Sequence, residues 1–174
     1  MSMTRDSIAV VVGAVLAVLA QIVIAPNIAL FSAMPNFVMV YALLVAIVRP
    51  GTAGPVLPFV LGLSFDLFSG SPVGAMAFLL VLVAFAASRA FAALDNDTLF
   101  MPLLIFVVSA LAIEMLHGGF LLALGYHAGA LDAFLYRALP CALYDCVIGL
   151  ILYPFAARLL SATAPAQPGT TRLR

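Results

Sequence analysis

Six apolar runs divide the chain, separated by short clusters of proline, glycine and charge. Met1–Asp6 is polar and carries Arg5, and Ser7–Ala25 follows without a charge. That run exceeds the usual signal-peptide core of about 7–15 residues, so it reads as an uncleaved first membrane helix. Gln21 is its one strongly polar side chain. Pro26-Asn27 ends it, because proline removes a helix donor and clashes with the preceding turn. Ile28–Val48 is again uncharged but is interrupted at Pro35-Asn36. Two readings stay open: one kinked helix, or an interfacial stretch leading into a short helix over Asn36–Val48. The short version reaches only about 20 Å along its axis.

Arg49-Pro50-Gly51-Thr52 makes a tight connection to a third helix, Ala53–Ser69, which carries Asp66. Ser69-Gly70-Ser71-Pro72 is a turn signal. The Gly70-x-x-x-Gly74 spacing matches a helix-dimer pattern, yet Pro72 inside it favours the turn. The fourth helix is expected over Val73–Ala87, ending at Ser88-Arg89, before the polar loop Leu94–Asp97. Asp97 is placed to cap a fifth helix, Thr98–Phe120, where its charge meets the positive helix end. Gly118–Asp132 is glycine-rich and reads as a re-entrant or interfacial bend. Arg137, Pro140, Tyr144 and Asp145 open the last helix, which runs to about Leu160. Residues 1–160 thus form one helical membrane domain, and 161–174 have the composition of a disordered cytoplasmic tail.

Composition fixes the solvent. Of 174 residues 66% are hydrophobic and 8% charged, against about 25% charged in soluble domains. A chain this apolar must be solvated by lipid, so the fold class is an all-α, polytopic membrane protein. Seven basic residues, all arginine, balance seven acids, which leaves no electrostatic footprint for nucleic acid. Cys141 and Cys146 sit about 500° apart around one helix and read as separate packed thiols.

Arginine placement sets the orientation. With six spans and the N-terminus inside, Arg5, Arg49, Arg89, Arg158, Arg172 and Arg174 face the cytoplasm, leaving only Arg137 outside. The reverse orientation violates the positive-inside rule, and five spans would place the C-terminal arginines outside.

Counting rise along each helix puts Gln21, Asp66 and Glu114 roughly 20–24 Å across the membrane from the cytoplasmic face. Asp145, entering from outside, lies at a similar depth, roughly 10 Å in. Three carboxylates at one level cannot all be ionised cheaply, and His117 and Arg137 are the nearby partners. The bland reading is a polar clasp fixing helix register; the alternatives are a ligand or ion pocket and an interface to another membrane protein. Depth predicts Asp66 beside Glu114 or Asp145, with Gln21 in hydrogen-bond reach. On the clasp reading Asp66→Asn should be tolerated, since it preserves a polar side chain of the same size.

Catalytic, cofactor and metal signals are weak. Glu114-x-x-His117 has the spacing of a di-metal bundle ligand pair, but a second such pair is missing. Asp66 lacks the preceding glycine expected of an intramembrane aspartyl protease. Neither a Ser-His pairing nor a phosphate loop is present, and the expectation is a non-enzymatic protein with no cofactor and no metal.

The stretch GLSFDLFSGSPVG, with Gly62, Asp66, Gly70, Pro72 and Gly74, resembles the G-L-x-x-D-x-x-x-x-x-P-x-G signature of the MreD family, the rod shape-determining membrane proteins of bacteria. Met34-Pro35-Asn36 sits where that family has Pro-Asp or Pro-Asn before its second helix. Leu139–Asp145 resembles its L-P-x-A-L-Y-N stretch, with Asp145 in place of the amide, and Tyr153-Pro154 followed by Arg158 resembles its ending. The glycine-rich 118–130 stretch is less typical. The resemblance implies a scaffold in the bacterial inner membrane that binds MreC and links periplasmic peptidoglycan synthesis to cytoplasmic MreB. It also implies a fold like the substrate-binding subunits of vitamin transporters, so a solute-binding subunit is the alternative. A vitamin binder should present a substantial outward pocket; a scaffold should have a collapsed polar site and a lipid-facing groove for a partner helix.

Overall fold

The residues FVMVYALLVAIV, Phe37–Val48, bring nothing more polar than one tyrosine hydroxyl to a twelve-residue helix. A helix that is apolar on every side either faces lipid or is enclosed by others. In the computed structural model it is enclosed. The structure describes residues 2–30, 33–50, 54–94, 100–126 and 129–161, with side chains from Ser7 to Leu160. The helices among them are α1 (Ser2–Val23), α2 (Phe37–Val48), α3 (Val56–Ser69), α4 (Ala75–Ala93), α5 (Phe100–Ala123) and α6 (Leu139–Ser161). A 3₁₀ turn, Ala25–Ile28, follows α1, and a π-helical segment, Leu131–Ala138, feeds directly into α6. Helix α2 is the central pillar, packed against all five others. Its Val38–Val40 and Ala42–Ile47 are buried, and with Phe106, Met76, Leu80 and Ile113 they form the core.

The break at Pro35-Asn36 resolves in favour of the short helix. Twelve residues rise only about 18 Å, less than the roughly 30 Å hydrocarbon thickness. Both ends of α2 therefore cannot reach water, and its N-terminal N–H groups need protein acceptors. That requirement positions the polar residues described below.

Three segments are long and apolar enough to cross a membrane: Ala75–Ala93, Phe100–Ala123 and Leu131–Leu160. Ser7–Val23, Phe37–Val48 and Val56–Ser69 are apolar but shorter. Outward side chains such as Val15 and Leu16 of α1, Phe78 and Phe85 of α4, and Ile151 of α6 are exposed, as lipid-facing positions should be.

Two expected boundaries move. Helix α4 does not stop at Ala87 but continues through Ser88-Arg89 to Ala93, since nothing in Ser88–Ala93 breaks a helix. The glycine-rich bend expected from Gly118 starts later. Helix α5 runs through Gly118 and Gly119 to Ala123, and the chain turns at Gly125, which has φ +79°. Gly118 serves close packing instead: a methyl group there would sit 3.1 Å from Ala138 Cβ and 3.3 Å from the Ala133 carbonyl. The Asp97 cap and the tail beyond Ser161 lie outside the described residues.

Candidate functional site

The polar residues divide into two clasps, each closing the N-terminus of a helix. The first is built by the Gly62–Gly74 stretch. Gly70 ends α3 in the left-handed conformation at φ +67°, and Gly74 starts α4 at φ +98°. A residue at that φ is strained unless it is glycine, so the α4 N-cap position has no side chain to offer. Asp66, one turn from the end of α3 and 1% exposed, supplies the missing acceptor. Its Oδ2 accepts from the Gly74 N–H (2.8 Å) and the Ala77 N–H (3.2 Å). Its Oδ1 accepts from the Met76 N–H (3.1 Å) and the Ser71 hydroxyl (3.3 Å). The Ala75 N–H donates to the Pro72 carbonyl, so the first turn of α4 is fully paired. The positive end of the α4 dipole takes the place of a cation for Asp66.

Gly62, one turn before Asp66 on the same face, makes this possible. A methyl group on it would overlap the backbone of Ala77 and the Met76 carbonyl. Helices α3 and α4 thus touch backbone to backbone, and Asp66 reaches peptide N–H groups that a wider spacing would put out of range.

The second clasp closes α2. Asn36 is its N-cap, and Asn36 Oδ1 accepts from the Met39 N–H (3.0 Å). Gln21 of α1 spans the break: its Oε1 accepts from the Phe37 N–H (2.8 Å) and its Nε2 donates to the Pro35 carbonyl (3.2 Å). Asp145 of α6, wholly buried, accepts from the Asn36 N–H through Oδ1 (2.6 Å). The neighbouring Tyr144 hydroxyl donates to the Ile28 carbonyl (2.8 Å), which ties α6 to the turn after α1. Three helices meet at the start of α2 through main-chain groups.

Glu114 and His117 of α5 are both buried. Glu114 is the electrostatic neighbour of Asn36 and Asp145, although Asn36 Nδ2 and Asp145 Oδ2 make no hydrogen bond. The His117 ring meets Phe65 of α3 edge-on, with centroids 6.2 Å apart and planes at 76°. Arg137 lies exposed on the π-helical segment, outside the buried group.

The expectation for Asp66 is therefore corrected. Its hydrogen bonds go to the 71–77 turn, and those of Gln21 and Asp145 go to the start of α2. Depth counting compares side chains with side chains, whereas these carboxylates answer helix N–H groups. With both carboxylate oxygens accepting bonds, the geometry points to a cost for Asp66→Asn. Asn36, Ser71 and Tyr144 complete the clasps and were not among the expected site residues. Asn36 carries a readable signal: asparagine directly before an uncharged apolar run is an N-cap signature.

The cavity beside the polar region is small, a space of about 180 Å³ lined by Gln21, Met34, Phe65 and Ser69 among others. A larger apolar groove of about 560 Å³ runs between α1 and α3, walled by Val11, Val15, Val18, Val56, Val60 and Leu61 and bounded by Ser7 and Ser64.

The family described as rod shape-determining protein MreD matches residues 4–163 of the chain. Comparison with curated proteins and with solved structures gives no match. The chain belongs to the MreD family of rod shape-determining membrane proteins.

Proposed function

We propose that this chain is a non-enzymatic scaffold of the bacterial cell-elongation complex. It crosses the inner membrane six times with both termini in the cytoplasm, and it holds a single-pass MreC-like partner. Contact with cytoplasmic MreB filaments and periplasmic cell-wall synthases is indirect, through that partner. Family membership over residues 4–163 carries the reading. The arginine asymmetry supports the topology, and Arg49 and Arg89 face one shared cleft, as residues at the same membrane surface should.

The α1–α3 groove supports the choice of partner. It is apolar and faces lipid, and its small residues, Ala14, Ser7 and Ser64, let a second backbone come close. The vitamin-subunit alternative needs a pocket of about 300–1,000 Å³ with a few convergent polar groups. The space at the polar clasps, about 180 Å³, gives that alternative no support.

Co-purification in mild detergent tests the reading. The tagged chain should retain an MreC-like protein, and Ala14→Phe, which fills the groove, should reduce recovery at least several-fold with the membrane level unchanged. Recovery of an ATP-binding cassette module in its place would overturn the scaffold assignment. Topology is tested separately in a cysteine-free background. Val73→Cys, 68% exposed at the α3–α4 turn, should label from the periplasm and Gly169→Cys should not.

A further inference from the structure

Hydrophobic length is unevenly distributed over the lipid-facing helices. Helices α1 and α3 stand side by side along the apolar groove. The uncharged part of α1, Ser7–Val23, rises about 25 Å, and α3, Val56–Ser69, about 21 Å. Helices α5 and α6 also pack on each other. Phe100–Ala123 of α5 rises about 36 Å, and the exposed Arg137 and Arg158 stand about 30 Å apart along the α6 segment. Hydrocarbon about 30 Å thick therefore suits α5 and α6, while α3 falls short by about 9 Å. A long helix can tilt to fit, but tilt only lowers the reach of a short one.

The ends of α3 do not extend its apolar surface. Val56, Phe59, Val60, Leu67 and Phe68 are exposed, a band of about 18 Å along the axis. Beyond Val56 the exposed groups are those of Gly54 and Pro55. At the other end the Ser69 and Ser71 hydroxyls pair at 2.6 Å in the turn to α4. Helix α4 repeats the boundary. Its Arg89 lies beside Gly54 and Pro55, and the guanidinium carbon sits 5.0 Å from the Phe85 ring centroid. That contact folds the charge back by one turn toward the membrane centre, the direction in which helix side chains lean. The headgroup region is drawn inward at the start of α3.

A span shorter than the hydrocarbon is accommodated by thinning the bilayer around it. We propose that the α3 side of the protein is a mismatch surface, bordered by a thinned bilayer and preferentially solvated by phospholipids with short acyl chains. Phe59, Leu67 and Phe68 on this side lie outside the groove assigned to a partner helix, so the inference stands apart from that assignment.

The chain contains no tryptophan, so an introduced one reports its own lipid neighbours. Phe59→Trp on α3 and Phe155→Trp on α6 occupy exposed positions a turn or less from Pro55 and Arg158. Each full-length variant is purified and reconstituted in mixed phosphatidylcholine vesicles with monounsaturated chains of about 14 and about 22 carbons, one species brominated at a time. Quenching should show the short chain enriched about threefold beside position 59, with no such enrichment beside position 155. Equal enrichment at the two positions, or a preference for the long chain at position 59, would overturn the proposal. Loss of quenching by both lipids at position 59 would also overturn it, because a second copy of the chain would then cover the face. A thermal melt identifies a Phe59→Trp protein that fails to fold. Leu67→Trp, also at an exposed position of α3, then takes its place with the same expected enrichment.

Discussion

Asp66 and Asp145 are both buried aspartates that accept hydrogen bonds from the first residues of a helix, but they are used differently. Asp66 accepts four bonds with both oxygens engaged. Asp145 accepts one bond from main chain, through Oδ1, and its Oδ2 is without a partner. The difference lies in what the capped helix brings. At α2 the N-cap is Asn36, which satisfies the Met39 N–H itself, and Gln21 takes the Phe37 N–H. At α4 the N-cap is Gly74, which has no side chain, so one carboxylate has to serve three peptide donors. The α4 clasp is concentrated in one residue, and the α2 clasp is shared among Asn36, Gln21 and Asp145.

Concentration makes the α3–α4 clasp the more fragile, and replacing Asp66 should have the largest effect. Asp66→Leu leaves the Gly74, Met76 and Ala77 N–H groups without an acceptor, at about 1–3 kcal/mol for each buried group left unsatisfied. That approaches the whole stability of many folded proteins, and the variant should be nearly absent from membranes by quantitative immunoblot. Asp66→Asn has one acceptor oxygen where the carboxylate has two. In either amide orientation its NH₂ faces at least one peptide N–H, so a loss of about 1–3 kcal/mol is expected, read as a lowered melting temperature in detergent. An Asp66→Asn protein of normal level and normal melting would break the comparison.

Gly62→Ala comes next. Its methyl group meets main-chain atoms of Met76 and Ala77, which cannot rotate away, so α3 and α4 must separate. Overpacking of this kind costs about 1–3 kcal/mol, less up to about 1 kcal/mol regained from alanine's better helix propensity. The displacement also lengthens the Asp66 bonds. Gly62→Ala combined with Asp66→Asn should therefore cost less than the two separately, because both spoil one contact. Strict additivity would mean that Gly62 spacing and Asp66 capping are independent.

These residues show which parts of the arrangement were legible in the sequence. The position of Asp66 before a Gly-Ser-Pro turn marked a buried carboxylate with a partner, and Pro35-Asn36 marked a break that left a kinked helix and a short helix both open. The partners were not legible, because a depth count treats each helix as a rod crossing from face to face. A helix of about 18 Å starts inside the slab, and its N–H groups then outrank other side chains as claimants for a carboxylate. Gly118 was misread for a related reason. Glycine marks both bends and close helix contacts, and only the position of Ala133 and Ala138 across from it decides between them.

The smallest effect is expected at Asp145, and it is the sharpest test of the comparison, since the substitution is the same Asp→Asn exchange. The single main-chain bond that Asp145 accepts needs one oxygen, which asparagine retains. Its NH₂ would take the place of Oδ2, the atom with no partner, and Glu114 is an electrostatic neighbour of the residue. An amide brings no charge for a neighbouring carboxyl group to repel, so the exchange keeps the bond at little cost. The family pattern resembled by Leu139–Asp145 has an amide at this position, in line with a site that asks for one acceptor and tolerates a donor. Asp145→Asn should leave membrane level unchanged and shift the melting temperature by no more than about 0.5 kcal/mol equivalent, in either direction. Asp145→Leu, which removes the acceptor from the Asn36 N–H, should cost about 1–3 kcal/mol. If Asp145→Asn destabilised as much as Asp66→Asn, both oxygens of Asp145 would have to be engaged, and the shared clasp at α2 would be as concentrated as the one at α4.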